Sequence, residues 1–266
     1  MQPAMQWEVA AAKLLDPYEL KTRLLPGLLV LFPAIVYFGL IWGPKNPLLV
    51  TLMSILTVCG GPYLLSSFVR TRGQRAQDDL FAKWGGSPST LMLRHDSSYL
   101  PEQIKWRYHE LISLKLGIGM PTVAEESANP ARASQAYAAA ADALRPMTND
   151  KRKYDLLFKE LTSYGYNRNA HGSRYVGLIV ALGTAVACLL DGSGRSTAHR
   201  IVQLSALDSR HGLVLLASTI LAFLWIAHFT ERTVKQSGFS YAKRLWEALE
   251  KVPKKSLGKA AVNRSP

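Results

Sequence analysis

The stretch Leu24–Trp42, LLPGLLVLFPAIVYFGLIW, contains no charged residue over nineteen positions. After the short connection 43–47 comes a second uncharged stretch of twenty-two residues, Leu48–Val69, LLVTLMSILTVCGGPYLLSSFV. About 20 helical residues are needed to cross the roughly 30 Å hydrocarbon core of a bilayer. The two stretches therefore predict a transmembrane helical hairpin over 24–69.

Two further apolar stretches predict a second hairpin over 175–230. Tyr175–Leu190, YVGLIVALGTAVACLL, has sixteen residues, which is short for a span, and Gly212–Thr230 has one ionisable residue, His228. The alternative for each stretch is a helix buried in a large soluble core, although such helices usually carry polar residues at every turn. Whether 175–190 crosses the whole bilayer stays open.

The composition agrees with a chain of mixed character. Hydrophobic residues make up 48% of the chain and the formal net charge is +13, while the mean hydropathy is +0.03. This average is too apolar for a disordered chain and too charged for a bundle that lies entirely in the membrane. Two cysteines exclude a disulfide-rich scaffold.

The distribution of charge predicts the orientation in the membrane. Segment 70–174 has sixteen basic and eleven acidic residues, and segment 231–266 has nine basic and three acidic residues. The two hairpin connections have one and three basic residues. Because basic flanking segments stay in the cytoplasm, both termini and 70–174 are expected there, in a multi-pass protein of the plasma membrane, such as a bacterial inner membrane.

The predicted fold class is an all-α integral membrane protein with four transmembrane helices, arranged as two hairpins that flank a helical cytoplasmic domain. The predicted segments are an N-terminal amphipathic segment, the first hairpin, the helical domain, the second hairpin and a basic tail: 1–23, 24–69, 70–174, 175–230 and 231–266. Within the domain we expect a stalk continuing the second span and three helices. These begin near Pro101, Asn129-Pro130 and Thr148–Asp150, and end near Gly117, Pro146 and Gly165.

The basic tail contains an amphipathic helix. Phe239 and Trp246 lie on its apolar face, Lys243 lies elsewhere, and Lys254 and Lys255 follow. Such a helix suits contact with anionic lipids at the inner leaflet, with each basic residue adding about 1 kcal/mol. Packing of the apolar face against the central domain is an equally good interpretation.

Two segments outside the spans are candidates for binding a ligand or a partner. The first surrounds a glycine-rich turn and the second, interpreted as a docking or ligand loop, precedes the third span. Their residues are Trp84, Arg94, His95 and Asp96 in the first, and Tyr164, Tyr166, Asn167, Arg168 and Asn169 in the second.

Catalytic chemistry has little support in the sequence. The carboxylates Asp78 and Asp79 and the imidazoles His95 and His109 are the residues that a membrane-tethered enzyme would use. The second histidine that a zinc helix needs is missing after His109. The phosphate-binding loops of nucleotide-dependent enzymes are missing too, so neither a metal nor a cofactor is predicted.

The leading hypothesis is a non-enzymatic membrane protein whose cytoplasmic domain binds an unknown protein partner or senses a signal. The lipid bilayer is its expected environment, and small residues such as Gly177 and Gly183 favour helix contacts and a homo-oligomer. The alternatives are an oligomeric pore or membrane-perturbing effector gated by that domain, and the tethered enzyme. Nucleic acid is an unlikely partner, because basic residues beside a span already follow from the orientation rule.

Overall fold

The computed structural model describes residues 16–58, 60–192 and 208–253, and within these ranges every regular element is a helix. The chain divides into two compact units. The first unit contains the described residues up to Leu80 together with Thr162–Val234. The second contains Phe81–Leu161 and the described residues from Lys235 onward.

The helices with the longest apolar stretches lie mainly in the first unit. Helix α1 covers Pro17–Trp42 and includes π-helical turns at Leu20–Leu24 and Phe38–Trp42. Helices α2 and α3 follow, and α8 and α9 come later in the chain. Their bounds are Pro47–Val58 for α2, Gly61–Trp84 for α3, Asp155–Gly192 for α8 and Ser209–Ala227 for α9.

The second unit is built from shorter helices and parts of longer ones. Helices α4 to α7 lie wholly within it, the first residues of α8 join them, and most of α10 belongs to it. The bounds are Pro88–Leu93 for α4, Glu102–Leu116 for α5, Val123–Ala128 for α6, Pro130–Met147 for α7 and Glu231–Leu249 for α10.

Three helices of the described chain are long and apolar enough to cross a membrane, and a bent pair could form a fourth crossing. The three are α1, α8 over Asp155–Asp191, and α9. Many large apolar side chains on these helices and on α2 are exposed, among them Phe32, Ile55, Ile179 and Phe223. Large exposed apolar surfaces mark contact with a membrane or another protein. The structure is therefore consistent with a multi-pass membrane protein.

The second predicted span, Leu48–Val69, is not one straight helix. Helix α2 ends at Val58 and α3 begins at Gly61, and the two axes are bent by 65°. Gly60 has a φ of 103°, a left-handed conformation that ends a helix and that residues with a side chain rarely adopt. The pair is therefore a broken span or a re-entrant segment.

Helix α8 continues through Gly165, where the sequence predicted a helix end. A Cβ at Gly165 would lie 3.0 Å from Cγ2 of Thr22, so this glycine permits close packing between α8 and α1. The expected loop Tyr164–Gly172 is consequently helical. The last helix of the predicted domain and the third predicted span form a single helix of 38 residues.

Three other helix ends follow the expected signals, whereas the third helix of the domain, expected to begin near Thr148–Asp150, begins at Asp155 after a turn. Gly117 terminates α5 in a left-handed conformation, with a φ of 71°. The Asn129 side chain caps α7 by accepting the N–H of Arg132, and Pro130 occupies its first turn. Pro146 lies in the last turn and the helix ends one residue later, at Met147. These three predictions are confirmed to within a residue.

The core of the second unit includes the C-terminal helix α10. Leu245, Trp246 and Leu249 are fully buried beside Ile112 of α5 and Tyr137 of α7. The Trp246 indole also donates a hydrogen bond to the Ser89 carbonyl at 3.2 Å. Of the two interpretations of this amphipathic face, the structure supports the second: the face packs against other helices of the second unit.

Candidate functional site

A cavity of about 360 Å³ lies in the second unit, between the segment after α4, helix α5 and helix α6. We call it the Glu126 cavity. Its lining includes three residues predicted from the sequence, Arg94, His95 and Asp96. The remaining lining residues are Glu102, Lys105, Trp106, Val123, Glu126, Ser127 and Pro130. Its volume lies at the lower end of the range typical of small-molecule sites.

Lys105 fixes the segment that follows α4. Its ammonium group is buried and donates to three backbone carbonyl oxygens, those of Arg94 at 3.3 Å, His95 at 2.7 Å and Ser97 at 2.8 Å. An ammonium has three N–H donors, so all are used within the protein. Lys105 therefore positions the wall of the cavity and offers no free donor to a ligand.

Two histidines lie side by side at this wall, with ring centroids of His95 and His109 4.8 Å apart. The Nε2 atom of His95 lies 3.0 Å from the Pro121 carbonyl, and Nε2 of His109 lies 2.8 Å from the Leu93 carbonyl. A carbonyl oxygen only accepts, so both Nε2 atoms carry a proton. Burial lowers the pKa of His109, which favours its neutral form.

Glu126 also lines the cavity and is hydrogen-bonded directly to the His95 segment. Its Oε2 atom accepts the Tyr137 hydroxyl at 2.6 Å and the His95 backbone N–H at 3.1 Å. Burial, followed by the hydrogen bond to Glu126, raises the pKa of Tyr137, which keeps the phenol protonated as a donor. Glu126 is only 8% exposed, and no hydrogen bond within the described chain reaches its Oε1 atom.

The other predicted residues of this region have different surroundings. Arg94 donates through one terminal nitrogen to the Gly85 carbonyl and to the Ser134 hydroxyl, both at 2.9 Å. It thereby links the glycine-rich turn to α7. Asp96 is exposed at the cavity edge. Trp84 does not line the cavity, and its ring lies 5.9 Å from the Lys235 ammonium.

The four residues of the enzyme alternative do not form one cluster within either unit. His95 and His109 belong to the second unit, whereas Asp78 and Asp79 are exposed residues of α3 in the first. Across the described ranges, no group of three or more histidine, cysteine or carboxylate side chains has a geometry that could hold a metal.

The second predicted group lies on α8 in the first unit, and its central residue is Asn169. This side chain is fully buried and donates from Nδ2 to the Thr22 carbonyl at 2.7 Å. In a regular helix that carbonyl would accept the N–H of residue 26, but Pro26 has none. Residues Leu20–Leu24 of α1 are π-helical, and at this interruption Asn169 gives the Thr22 carbonyl a donor from another helix.

Arg168 and Tyr164 join this network. Arg168 donates to the Asn169 amide oxygen at 3.1 and 3.2 Å and to Oε1 of Gln77 at 3.0 Å. The Tyr164 hydroxyl donates to the same oxygen of Gln77 at 2.9 Å. A Cβ at Gly73 would overlap the Asn169 side chain, so α3 and α8 touch closely here. The network is an interhelical contact inside the first unit.

The two remaining residues of that group take no part in it. Tyr166 packs against the cluster around Trp225, with its ring 6.0 Å from that of Phe229. Asn167 is partly exposed, and no hydrogen bond of its side chain is seen within the described chain. The group therefore divides into an interhelical hydrogen-bond network and a packing residue.

The residues predicted to contact anionic lipids are also divided. Trp246 is fully buried, and Phe239 is partly buried and stacked on Tyr99 with ring centroids 4.0 Å apart. Lys243 is exposed. Lys254 and Lys255 lie outside the described residues. Any contact of this helix with lipid would therefore be made by its basic residues and not by Trp246.

The sequence did not indicate that Lys105 and Glu126 would line this cavity, or that Tyr137 would hold Glu126 in place. Lys105 lies on the buried face of α5, where a charged residue among apolar ones was the available signal. Glu126 follows a capping box in which Thr122 and Glu125 bind each other's backbone N–H groups. A second carboxylate directly after the capping one was a weak signal.

Comparison with known protein families, with curated proteins and with solved structures gives no match for this chain.

Proposed function

We propose that this is a non-enzymatic, multi-pass membrane protein whose second unit binds a small ligand in the Glu126 cavity and thereby senses a signal. The observation that carries the proposal is the cavity itself, with its walls fixed by the bonds of Lys105, His95 and Glu126. Preformed cavities with a few fixed polar groups are typical binding sites. In this proposal the membrane helices anchor the protein and both termini are cytoplasmic.

The exposed indole of Trp106 offers a test. This residue lines the cavity and is 48% exposed, so its loss should leave the fold intact. Full-length protein in detergent micelles would be melted with fractions of a cell extract, as wild type and as Trp106→Ala. The matched control is Leu114→Ala, on the same helix, 46% exposed and away from the cavity lining.

A fraction that raises the Tm of the wild type and of Leu114→Ala, but not of Trp106→Ala, would support ligand sensing at the cavity. A ligand whose Kd is one hundredth of its concentration stabilises the folded protein by about 2.7 kcal/mol. A thermal melt readily detects the resulting rise in Tm. Equal shifts in all three proteins, or none with any fraction, would refute it. The orientation is tested separately by a fluorescent reporter fused after Pro266, which should fold in the cytoplasm.

A second candidate function is an oligomeric pore or membrane-perturbing effector, favoured by the bent pair α2 and α3. Broken helices inside membranes usually line a water-filled cavity or are buried in protein. The bend of 65° around Gly60 is such an interruption. Proteoliposomes that leak neither ions nor a small dye, with or without candidate ligands, would remove this alternative.

A further inference from the structure

We propose that the Glu126 cavity takes a small organic cation, an amine with a compact apolar body. This inference rests on the proposed function, because it names the class of ligand for the same cavity. It follows from three properties of the lining: the hydrogen-bond groups left free, the balance of charge, and an aromatic wall.

The donors of the lining are largely used within the protein. Lys105 has all three N–H groups bound to carbonyl oxygens. The Trp106 indole donates to Oε1 of Glu102 at 3.3 Å, and Nε2–H of His95 donates to Pro121. Only Arg94, among the lining residues with strong donors, has N–H groups beyond its two observed bonds. An anion would therefore find few partners.

The acceptors of the lining are largely free. The Oε1 atom of Glu126 has no partner within the described chain, although the side chain is more than nine-tenths buried. In the neutral imidazole with its proton on Nε2, the Nδ1 atom of His95 is a further acceptor. Asp96 and the second oxygen of Glu102 add further acceptors at the edge. A carboxylate oxygen that lines a cavity and has no hydrogen-bond partner there favours a ligand that brings a donor.

The charge of the lining has the opposite sign to that of the chain. Asp96, Glu102 and Glu126 provide three carboxylates, against the two permanent cations Arg94 and Lys105. The whole chain has a formal net charge of +13. An ammonium group placed at Glu126 would form a charge-assisted hydrogen bond in a partly water-excluded place, where such bonds are strongest.

The remaining wall suits an apolar body next to the cation. Trp106 has its indole half exposed, and Val123 and Pro130 complete an apolar side. An indole attracts a cation over its face and packs against a ring or an alkyl chain. A volume of about 360 Å³ accommodates a molecule of the size of benzylamine.

The experiment compares three probes that share one ring and differ in charge: benzylamine, benzyl alcohol and benzoate. Each is titrated into full-length protein in detergent at neutral pH, by calorimetry and by melting. Benzylamine should bind, and the neutral and anionic probes should bind at least about tenfold more weakly, since they lack the ammonium group that makes a charge-assisted hydrogen bond to Glu126.

Matched variants locate the binding. Glu126→Gln should weaken benzylamine at least about tenfold, because its amide can satisfy Tyr137 through oxygen and then presents a donor to the cavity. Asp96→Asn, at an exposed position, should weaken it several-fold without any effect on folding. Glu110→Gln makes the same charge change on an exposed residue of α5 outside the lining, and should leave binding unchanged.

Three outcomes would overturn this assignment. Tighter binding of benzoate than of benzylamine would show an anion site, and the same affinity for benzylamine in Glu126→Gln would show that the carboxylate is not the partner. Either result leaves the cavity as a ligand site, provided that Trp106→Ala abolishes the binding of the preferred probe. Failure of all three probes and of every extract fraction would refute the cation site and the proposed function together.

Discussion

Asn169 donates to the Thr22 carbonyl, whose partner in an α-helix would be the N–H that Pro26 lacks, and this arrangement predicts a measurable coupling between two residues that lie 143 positions apart in the chain. The substitution Asn169→Ala removes the 2.7 Å bond to the Thr22 carbonyl and the acceptor of Arg168. A buried polar group left without a partner costs about 1–3 kcal/mol in soluble proteins. Hydrogen bonds between membrane helices contribute less, on average about 0.6 kcal/mol and at most about 1.7.

The second substitution, Pro26→Ala, restores a backbone N–H four residues after Thr22. In that background the carbonyl has a donor within its own helix, so Asn169→Ala should cost less than in the wild type. The expected coupling free energy is about 0.5–1.5 kcal/mol, the range for residues that share one hydrogen-bond network. Arg168 loses one of its two acceptors in both backgrounds, so that contribution cancels in the cycle.

The assay is the unfolding of the four full-length proteins in mixed detergent micelles, followed by tryptophan fluorescence over a series of denaturing detergent fractions. Asn167→Ala is the control, since this neighbouring side chain has no hydrogen bond seen in the described chain and should cost less than about 0.5 kcal/mol in either background. If Asn169→Ala costs the same with and without the proline, the compensation proposed for Thr22 is refuted.

Three more predictions concern packing and titration. A Cβ at Gly177 would overlap a fully buried indole of α9, so Gly177→Ala should lower the Tm. A Cβ at Gly183 has no atom within 4 Å, so Gly183→Ala should keep or raise the Tm, because alanine has a higher helix propensity by up to about 1 kcal/mol. Thermal melts of both variants test this difference. Trp246→Ala should destabilise the second unit by about 3–5 kcal/mol, and Lys243→Ala by less than about 0.5 kcal/mol. Unfolding of the full-length chain measures both values, and equal effects would place the indole outside the core. Burial lowers the pKa of His109 in the folded protein below 6.5, so the unfolded chain takes up a proton at this residue first as the pH falls. The free energy of unfolding should therefore decrease from pH 7.5 towards 5.5 more in the wild type than in His109→Gln. The reverse order in melts at these two pH values would contradict the neutral assignment.

The sequence predicts local features of the fold well where one residue determines the backbone. Gly117 ends α5 and Asn129-Pro130 begins α7 as expected, because each signal acts within one helical turn. Gly165 shows the limit of this reasoning. A glycine inside a helix is disfavoured by only about 1 kcal/mol, and close packing against Thr22 decides its place in the structure.

The break between α2 and α3 was harder to foresee. An uncharged stretch of twenty-two residues has the composition of one span, and composition does not register a change of direction. Gly60-Gly61-Pro62 was the available signal, since a glycine and a proline together interrupt helices. These residues allow a kink or a hinge but do not specify a break or its angle, because membranes tolerate both residues within helices.

The candidate site could be predicted only in part. His95 and Asp96 were identifiable as chemically capable residues close to a turn. Glu126 lies 31 positions after His95, and the bond between them depends on how α5, α6 and α7 pack. Their convergence is a tertiary property, and single-sequence periodicity contains no information on it.

The close contact at Asn169 also has a consequence for recognising relatives of this chain. A Cβ at Gly172 would lie 2.5 Å from the Arg72 carbonyl, and one at Gly73 would overlap Asn169, so neither position accepts a side chain. The bond from Asn169 to the Thr22 carbonyl should matter less where position 26 is not proline. Descendants of a common ancestor should therefore vary in concert at 26 and 169 and keep glycine at 73 and 172, a dispersed signature that can persist after overall similarity has faded.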